Sequence, residues 1–187
     1  MSGRQEVASE RAPSANAPLD EAFVRDWMAR FLDAWNSHDP ETVASMCAED
    51  VFFYDPAMTQ AARGRDAVRE HLETTLRALP DLHIEAVGEP LIAPDEPLVL
   101  ARFRITATML GDWAGANIAA TGRPIVLTGV DQWSFRDGLL HRYDTFYDTL
   151  GMIRQIGLLP PAGSRMEQVL ARLQHVQAWL LRTLSRR

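Results

Sequence analysis

The chain has 187 residues, a hydrophobic fraction of 47%, a charged fraction of 24% and a formal net charge of −6; this is the make-up of one globular domain with extensions, large enough to bury a core. The acidic balance argues against a nucleic-acid partner, which needs a broad basic surface, and no apolar run is long enough to span a bilayer. Cys47 is the only cysteine and all 19 basic residues are arginine, which excludes intrachain disulfides, cysteine metal clusters and side-chain Schiff-base chemistry.

Residues 1–18 are small and polar with two prolines and read as a disordered leader. They contain no hydrophobic signal-peptide region, so a cytoplasmic location is the expectation. From Leu19 the period is helical: Leu19, Phe23, Trp27, Phe31 and Trp35 recur every four residues. "NSHDP" ends this helix, and Asp39 caps a second short one with Pro40 in its first position and Val43, Met46 and Cys47 inward. "DVFFYDP" is a strand stopped by Pro56, and "RDAVREHLETTLRAL" is a third helix with Val68, Leu72, Leu76 and Leu79 on one side and His71 facing solvent.

After Pro80 the pattern changes to strands. "LHIEAVGEP" precedes the long strand "LVLARFRITATML", and "PIVLTGVDQWSF" pairs through the turn "RDG" with "LLHRYDTFYD" as a hairpin. Helices followed by a run of strands imply an α+β domain with the helices on one side of a curved antiparallel sheet. Beyond the break "PPAG", residues 160–187 form an amphipathic helix with Ser164 and Glu167 as a capping box, expected to pack on its own domain or on a partner subunit.

Asp131 is the conspicuous charge. It shares a strand face with Ile125, Leu127, Trp133 and Phe135, where an unpaired carboxylate is costly. Either it stabilises the sheet through a neighbouring donor, or desolvation holds it protonated near neutrality as a hydrogen-bond donor. Asp55 shares its alternation with Val51 and Phe53 and ends the first strand, where Asp before Pro also favours a turn. Asp144 and Asp148 fall on the other row and read as ion-paired or helix-capping. No histidine spacing suits a metal, and no phosphate-loop, dinucleotide or nucleophile-elbow motif occurs, so neither a metal nor a cofactor is expected.

The order and spacing of "FLDAWNSHDPETVASMCAEDVFFYDP", "ARGRDAVREHL", "GVDQWSFRDGLLHRYDTFYD" and "LGMIRQIGLLP" resemble the SnoaL-like polyketide cyclases and ketosteroid isomerases of the NTF2-like superfamily over residues 19–159. The resemblance implies a cone-shaped α+β fold, with three N-terminal helices packed on the curved sheet and the C-terminal helix as an extension. It matches Asp55-Pro56 to the carboxylate base of ketosteroid isomerases and Asp131 to their second, protonated aspartate. The family's first-helix tyrosine falls at Phe31, so part of that oxyanion hole is missing. The Arg-x-Asp of the limonene-epoxide-hydrolase type is absent from the long strand.

On the last strand His141, Tyr143, Thr145 and Tyr147 alternate on one face, which the resemblance turns toward the cavity. They are either pocket residues, with Tyr143 or Tyr147 donating to an enolate and His141 shuttling a proton, or a polar sheet face at a dimer interface. Phe31, Trp35, Phe53, Phe103 and Trp133 are the expected apolar walls, with Thr145 beside them. The implied activity is cofactor-independent isomerase or cyclase chemistry on a small apolar carbonyl substrate. The alternative is a non-catalytic hydrophobic-ligand-binding or dimerisation module with a vestigial pocket. A homodimer is implied by the resemblance alone.

Overall fold

The computed structural model describes residues 19–114 and 117–184; the leader expected over residues 1–18 lies outside the described residues. Helix α1 (Glu21–Asn36) starts where the Asp20 carboxylate accepts the Ala22 N–H, satisfying one of the free donors of the first turn. Helix α2 (Pro40–Ser45) is capped by Asp39, which accepts the Thr42 N–H at 3.0 Å, with Pro40 pre-set for the first turn. Cys47, expected on this helix, instead opens strand β1 (Cys47–Tyr54); it is buried, and burial pushes its thiol up to about 12. A two-residue strand β2 (Ala62–Arg63) leads through Gly64, at φ +82°, into helix α3 (Arg65–Ala78).

Strands β3 (His83–Ala86), β4 (Leu91–Ile92), β5 (Leu98–Thr108), β6 (Pro124–Arg136) and β7 (Leu139–Tyr147) complete one sheet in the order β2-β1-β7-β6-β5-β3, with β4 also paired to β5. The β1–β7 pair is parallel and the others are antiparallel. Positive φ at Asp137 and Gly138 matches the twist of the β6–β7 hairpin. The alternation along β6 holds: Ile125, Leu127, Asp131, Trp133 and Phe135 are buried, while Pro124, Val126 and Thr128 are exposed.

Helices α1 and α3 cover the inner face of this α+β sheet. Trp27 of α1 stacks on Phe31 and meets Trp133 and Phe135 of β6, with ring centroids 4.7 to 5.1 Å apart. Two side-chain amides extend the backbone pairing where strands lack neighbours. Asn36 donates to Ile84 O and accepts its N–H, and Gln155 of helix α4 (Thr149–Gln155) does the same for Val126.

Helix α5 (Arg165–Leu184) begins with Glu167 held by Arg154 and by the Ser164 and Gly163 caps. Its apolar residues Met166, Val169, Leu170 and Leu173 are exposed, so the described part of its own domain leaves that face uncovered. No helix among the described residues is long and apolar enough to cross a membrane.

Gly129 sits where β6 passes between Phe103 and Tyr147 in cross-strand register. A Cβ there would collide with the Phe103 ring and the backbone oxygen of Phe146. Because one obstacle is backbone, relief requires the strands to part. Gly129→Ala is therefore expected to destabilise the domain by about 1–3 kcal/mol, measured by urea unfolding.

Candidate active site

Strand alternation and one bulge decide which side chains of β7 face inward. Tyr143 and Thr145 are buried and Tyr147 is half-buried on the inner face, whereas Arg142 and Phe146 are exposed on the other. The β6–β7 register shifts between Ser134 and Phe135, pairing Ser134 with Arg142 but Phe135 with Leu140. The bulge turns buried Leu140 into the core in the row that His141 would otherwise occupy. His141 is displaced from the cavity and lies 3.8 Å from Asp50, beside the Arg136–Asp50 ion pair. The expectation that it shuttles protons in the pocket is corrected on that ground.

Each of two aspartates is joined to a β7 tyrosine. The Tyr143 hydroxyl donates to Asp131 Oδ1 at 2.9 Å, and the Tyr147 hydroxyl donates to Asp55 Oδ1 at 2.6 Å. The Ala57 N–H gives the same Asp55 oxygen a second bond at 2.8 Å, set by the turn that Pro56 begins. Among the described residues Asp55 Oδ2 receives no hydrogen bond. The Tyr143 ring is fixed by stacking on Phe53, with centroids 4.0 Å apart and planes at 8°, and by Phe31 at 6.3 Å. Phe31 thus contributes a ring face and no donor.

A cavity of about 50 Å³ opens among these groups, with Asp55, Tyr143, Thr145 and Tyr147 as polar lining and Trp35 and Phe103 among its apolar walls. Asp131 does not line it; Tyr143 stands between. Phe31, Phe53 and Trp133, expected as walls, lie one layer behind, drawn into the aromatic packing around Trp27 and Tyr143. Thr75, Trp113 and Met152 line the cavity and were not anticipated. Trp35 Nε1, Thr75 Oγ1 and Thr145 Oγ1 are buried with no hydrogen-bond partner. All three belong to residues around one small space, and each left unpaired costs about 1–3 kcal/mol.

Desolvation raises the Asp131 carboxyl to about 7, opposed by the nearby Thr145 and Tyr143 hydroxyls and reinforced by the charge of Asp55. Thr145 lies directly across the strand pair from Asp131, close enough to favour the carboxylate electrostatically, but its hydroxyl makes no bond of normal geometry. Burial also raises Tyr143 and Tyr147, so both phenols keep their protons. The acids on the opposite row have other roles: Asp144 pairs with Arg142 at 2.5 and 3.0 Å, and Asp148 caps α4 through the Gly151 N–H.

Residues 28–143 match the SnoaL-like domain family. The chain belongs to that family. TsrD from Streptomyces laurentii superposes with a TM-score of 0.64 at 26% identity, covering 75% of this chain and 99% of its own. AclR from Streptomyces galilaeus, a candidate hydroxylase, gives 0.63 at 22% identity over 85% of this chain and 96% of its own. IdmH from Streptomyces antibioticus, a candidate polyketide cyclase, gives 0.56 at 24% over 71% and 97%. No curated protein matches the sequence significantly. SnoaL-like membership fits the cone-shaped α+β fold, with α1 and α3 over the inner sheet face.

The raised carboxyl has a sign that stability measurements can read. Native Asp131 holds its proton up to about pH 7, whereas an unfolded aspartate releases it near pH 4. Between those values the native state binds more protons, so stability falls as pH rises and levels off above about 7. Urea unfolding of wild type and Asp131→Asn from pH 4 to 8 should show the variant gaining on the wild type across that window, by at most roughly 4 kcal/mol.

Proposed function

We propose that this SnoaL-like chain is a cofactor-independent acid/base enzyme, an isomerase or cyclase working through an enolate of a largely apolar carbonyl compound of polyketide or steroid-like type. The observation that carries this reading is the pair of aspartate–tyrosine couples that bring Asp55, Tyr147 and Tyr143 to one cavity, with Asp55 Oδ2 left without a donor and Asp131 held behind Tyr143. Asp55 takes a proton from the carbon beside the carbonyl. The C–H electron pair passes into the enolate, and the oxygen gains charge beside Tyr143. An isomerase returns the proton to another carbon; a cyclase uses the same pair to attack a second carbonyl.

Asp131 sets the direction of the Tyr143 hydrogen. As a carboxylate it holds that hydrogen on itself. As a carboxylic acid it donates to the phenol oxygen, leaving the Tyr143 hydrogen for the enolate. The working form of the site therefore carries a protonated Asp131, and turnover is expected to decline as pH rises through about 7. Deuterium exchange into 2-tetralone, followed by NMR, checks the reading. Asp55→Asn should slow exchange by about 10²–10⁴-fold and Tyr143→Phe by about 10²–10³-fold, with folds intact by circular dichroism. Wild-type rates in both variants would remove the assignment. A ligand retained from the host with no turnover of any carbonyl would favour the non-catalytic binding module.

The same reading takes the chain as a homodimer through the outer sheet face. Val126 and Phe146 are 46% and 55% exposed there, more apolar surface than a polar sheet face needs. Light scattering should give twice the chain mass, and Phe146→Glu should give a monomer.

A further inference from the structure

The inner cavity, at about 50 Å³, is too small for a ring: it compares with about 30 Å³ for one water and about 150 Å³ for a cavity that admits benzene. Only the carbonyl end of a substrate fits beside Asp55. A second pocket of about 310 Å³, within the range of small-ligand sites, borders it. The two share Trp113, which is 5% exposed and lines both. They are joined on another side by the turn after Asp55: the Ala57 N–H holds Asp55 Oδ1 in the inner cavity while Ala57 itself lines the outer pocket.

His71 of α3 lines that outer pocket, against the expectation that it faces solvent. Its ring packs 5.8 Å from Phe53, the residue stacked on Tyr143, and lies within electrostatic reach of Asp55. Burial disfavours its charged form and Asp55 favours it. Among the described residues its ring nitrogens have neither a hydrogen bond nor an ion pair. Glu70, Thr59, Gln60 and Thr74 stand around the same pocket, so its lining suits oxygen-bearing parts of a guest.

We propose that the outer pocket seats the body of the substrate and that His71 is a second proton-transfer residue of the same site, acting on a substrate oxygen there. This rests on the acid/base reading of Asp55. It gives the substrate two oxygen functions, one reaching the inner cavity and one remaining at His71. The proton count closes. Asp55 breaks a C–H bond and takes the proton; the electron pair adds to the second carbonyl carbon and displaces its π pair onto oxygen; that oxygen takes the proton of a His71 ring N–H. The Asp55 acid then returns a proton to the His71 nitrogen through water in the outer pocket.

The test uses the full chain with ¹⁵N-labelled histidine. His71 is assigned by its disappearance in His71→Gln, and 2,6-dihydroxynaphthalene serves as a planar two-oxygen probe. The expected result is a ligand-dependent shift of the His71 ring signals, a lower His71 titration midpoint in Asp55→Asn, and, with the two-carbonyl substrate heptane-2,6-dione in an aldol cyclisation assay, at least a tenfold loss of kcat in His71→Gln with KM changed less than threefold. The same probe perturbing Tyr143 while leaving the wild-type His71 signals unmoved would overturn the proposal and leave the Asp55 reading standing, as would wild-type kcat in His71→Gln alongside an inactive Asp55→Asn. Full activity in Asp55→Asn would overturn both.

Discussion

The site depends on one buried acid. Asp131 occupies an inward position of β6 between Leu127 and Trp133, where sheet geometry allows no escape to water. An ionised carboxylate there bears a desolvation cost of several kcal/mol, and a single hydrogen bond to a charged group returns about 1.5–3. One phenol therefore does not hold Asp131 ionised at all pH values, and its titration moves toward neutrality. The neighbouring rings follow from this. Phe53 and Phe31 clamp Tyr143 so that its oxygen stays beside the carboxyl, and the same rings exclude the water that would return Asp131 to ordinary acidity.

The polar groups around the cavity come from β7, from the turn at Asp55, from Thr75 on α3 and from the Trp35 indole N–H on α1. β7 is well suited to this because three inward positions, 143, 145 and 147, fall in one row between β6 and β1. The aspartates occupy the two flanking elements: Asp131 on β6 and Asp55 just beyond the end of β1. A parallel β1–β7 pair places Tyr54 opposite Asp144, so the end of β1 runs alongside the middle of β7 and Tyr147 meets Asp55.

Much of this was legible in the sequence, and what was missed has identifiable causes. Period-four apolar residues marked α1, and alternation along Ile125 to Phe135 placed Asp131 inward, since both patterns are local consequences of backbone geometry. Alternation also found Tyr143, Thr145 and Tyr147 but carried the row one step too far, because a bulge after Ser134 is set by pairing with another strand and leaves no mark on β7 itself. Aromatic density along α1 and β6 showed that rings would be buried. It could not separate walls such as Trp35 and Phe103 from packing residues such as Phe31 and Trp133, which differ only in what lies across from them. His71 was within reach: it stands three residues after buried Val68 and four before buried Thr75, on the inward side of α3. Trp113 was not, since its place depends on a loop closed by pairing with Ile118.

Volume is the constraint that connects fold to chemistry. A ligand-binding module gains affinity by burying most of its guest, yet about 50 Å³ beside three unpaired polar atoms buries little more than a carbonyl group. Such a space gives weak hydrophobic binding and strong orientation, because polar groups held in place by packed helices and the sheet cost little reorganisation when charge develops on a guest oxygen. A narrow polar end and a wider pocket meet at Trp113, and the proposed reading gives affinity to the wider compartment and charge stabilisation to the narrow one. On the proposed acid/base reading, binding energy gathered in the wider pocket holds the reacting carbon against Asp55, which is an arrangement that a protein serving only to store a hydrophobic molecule does not require.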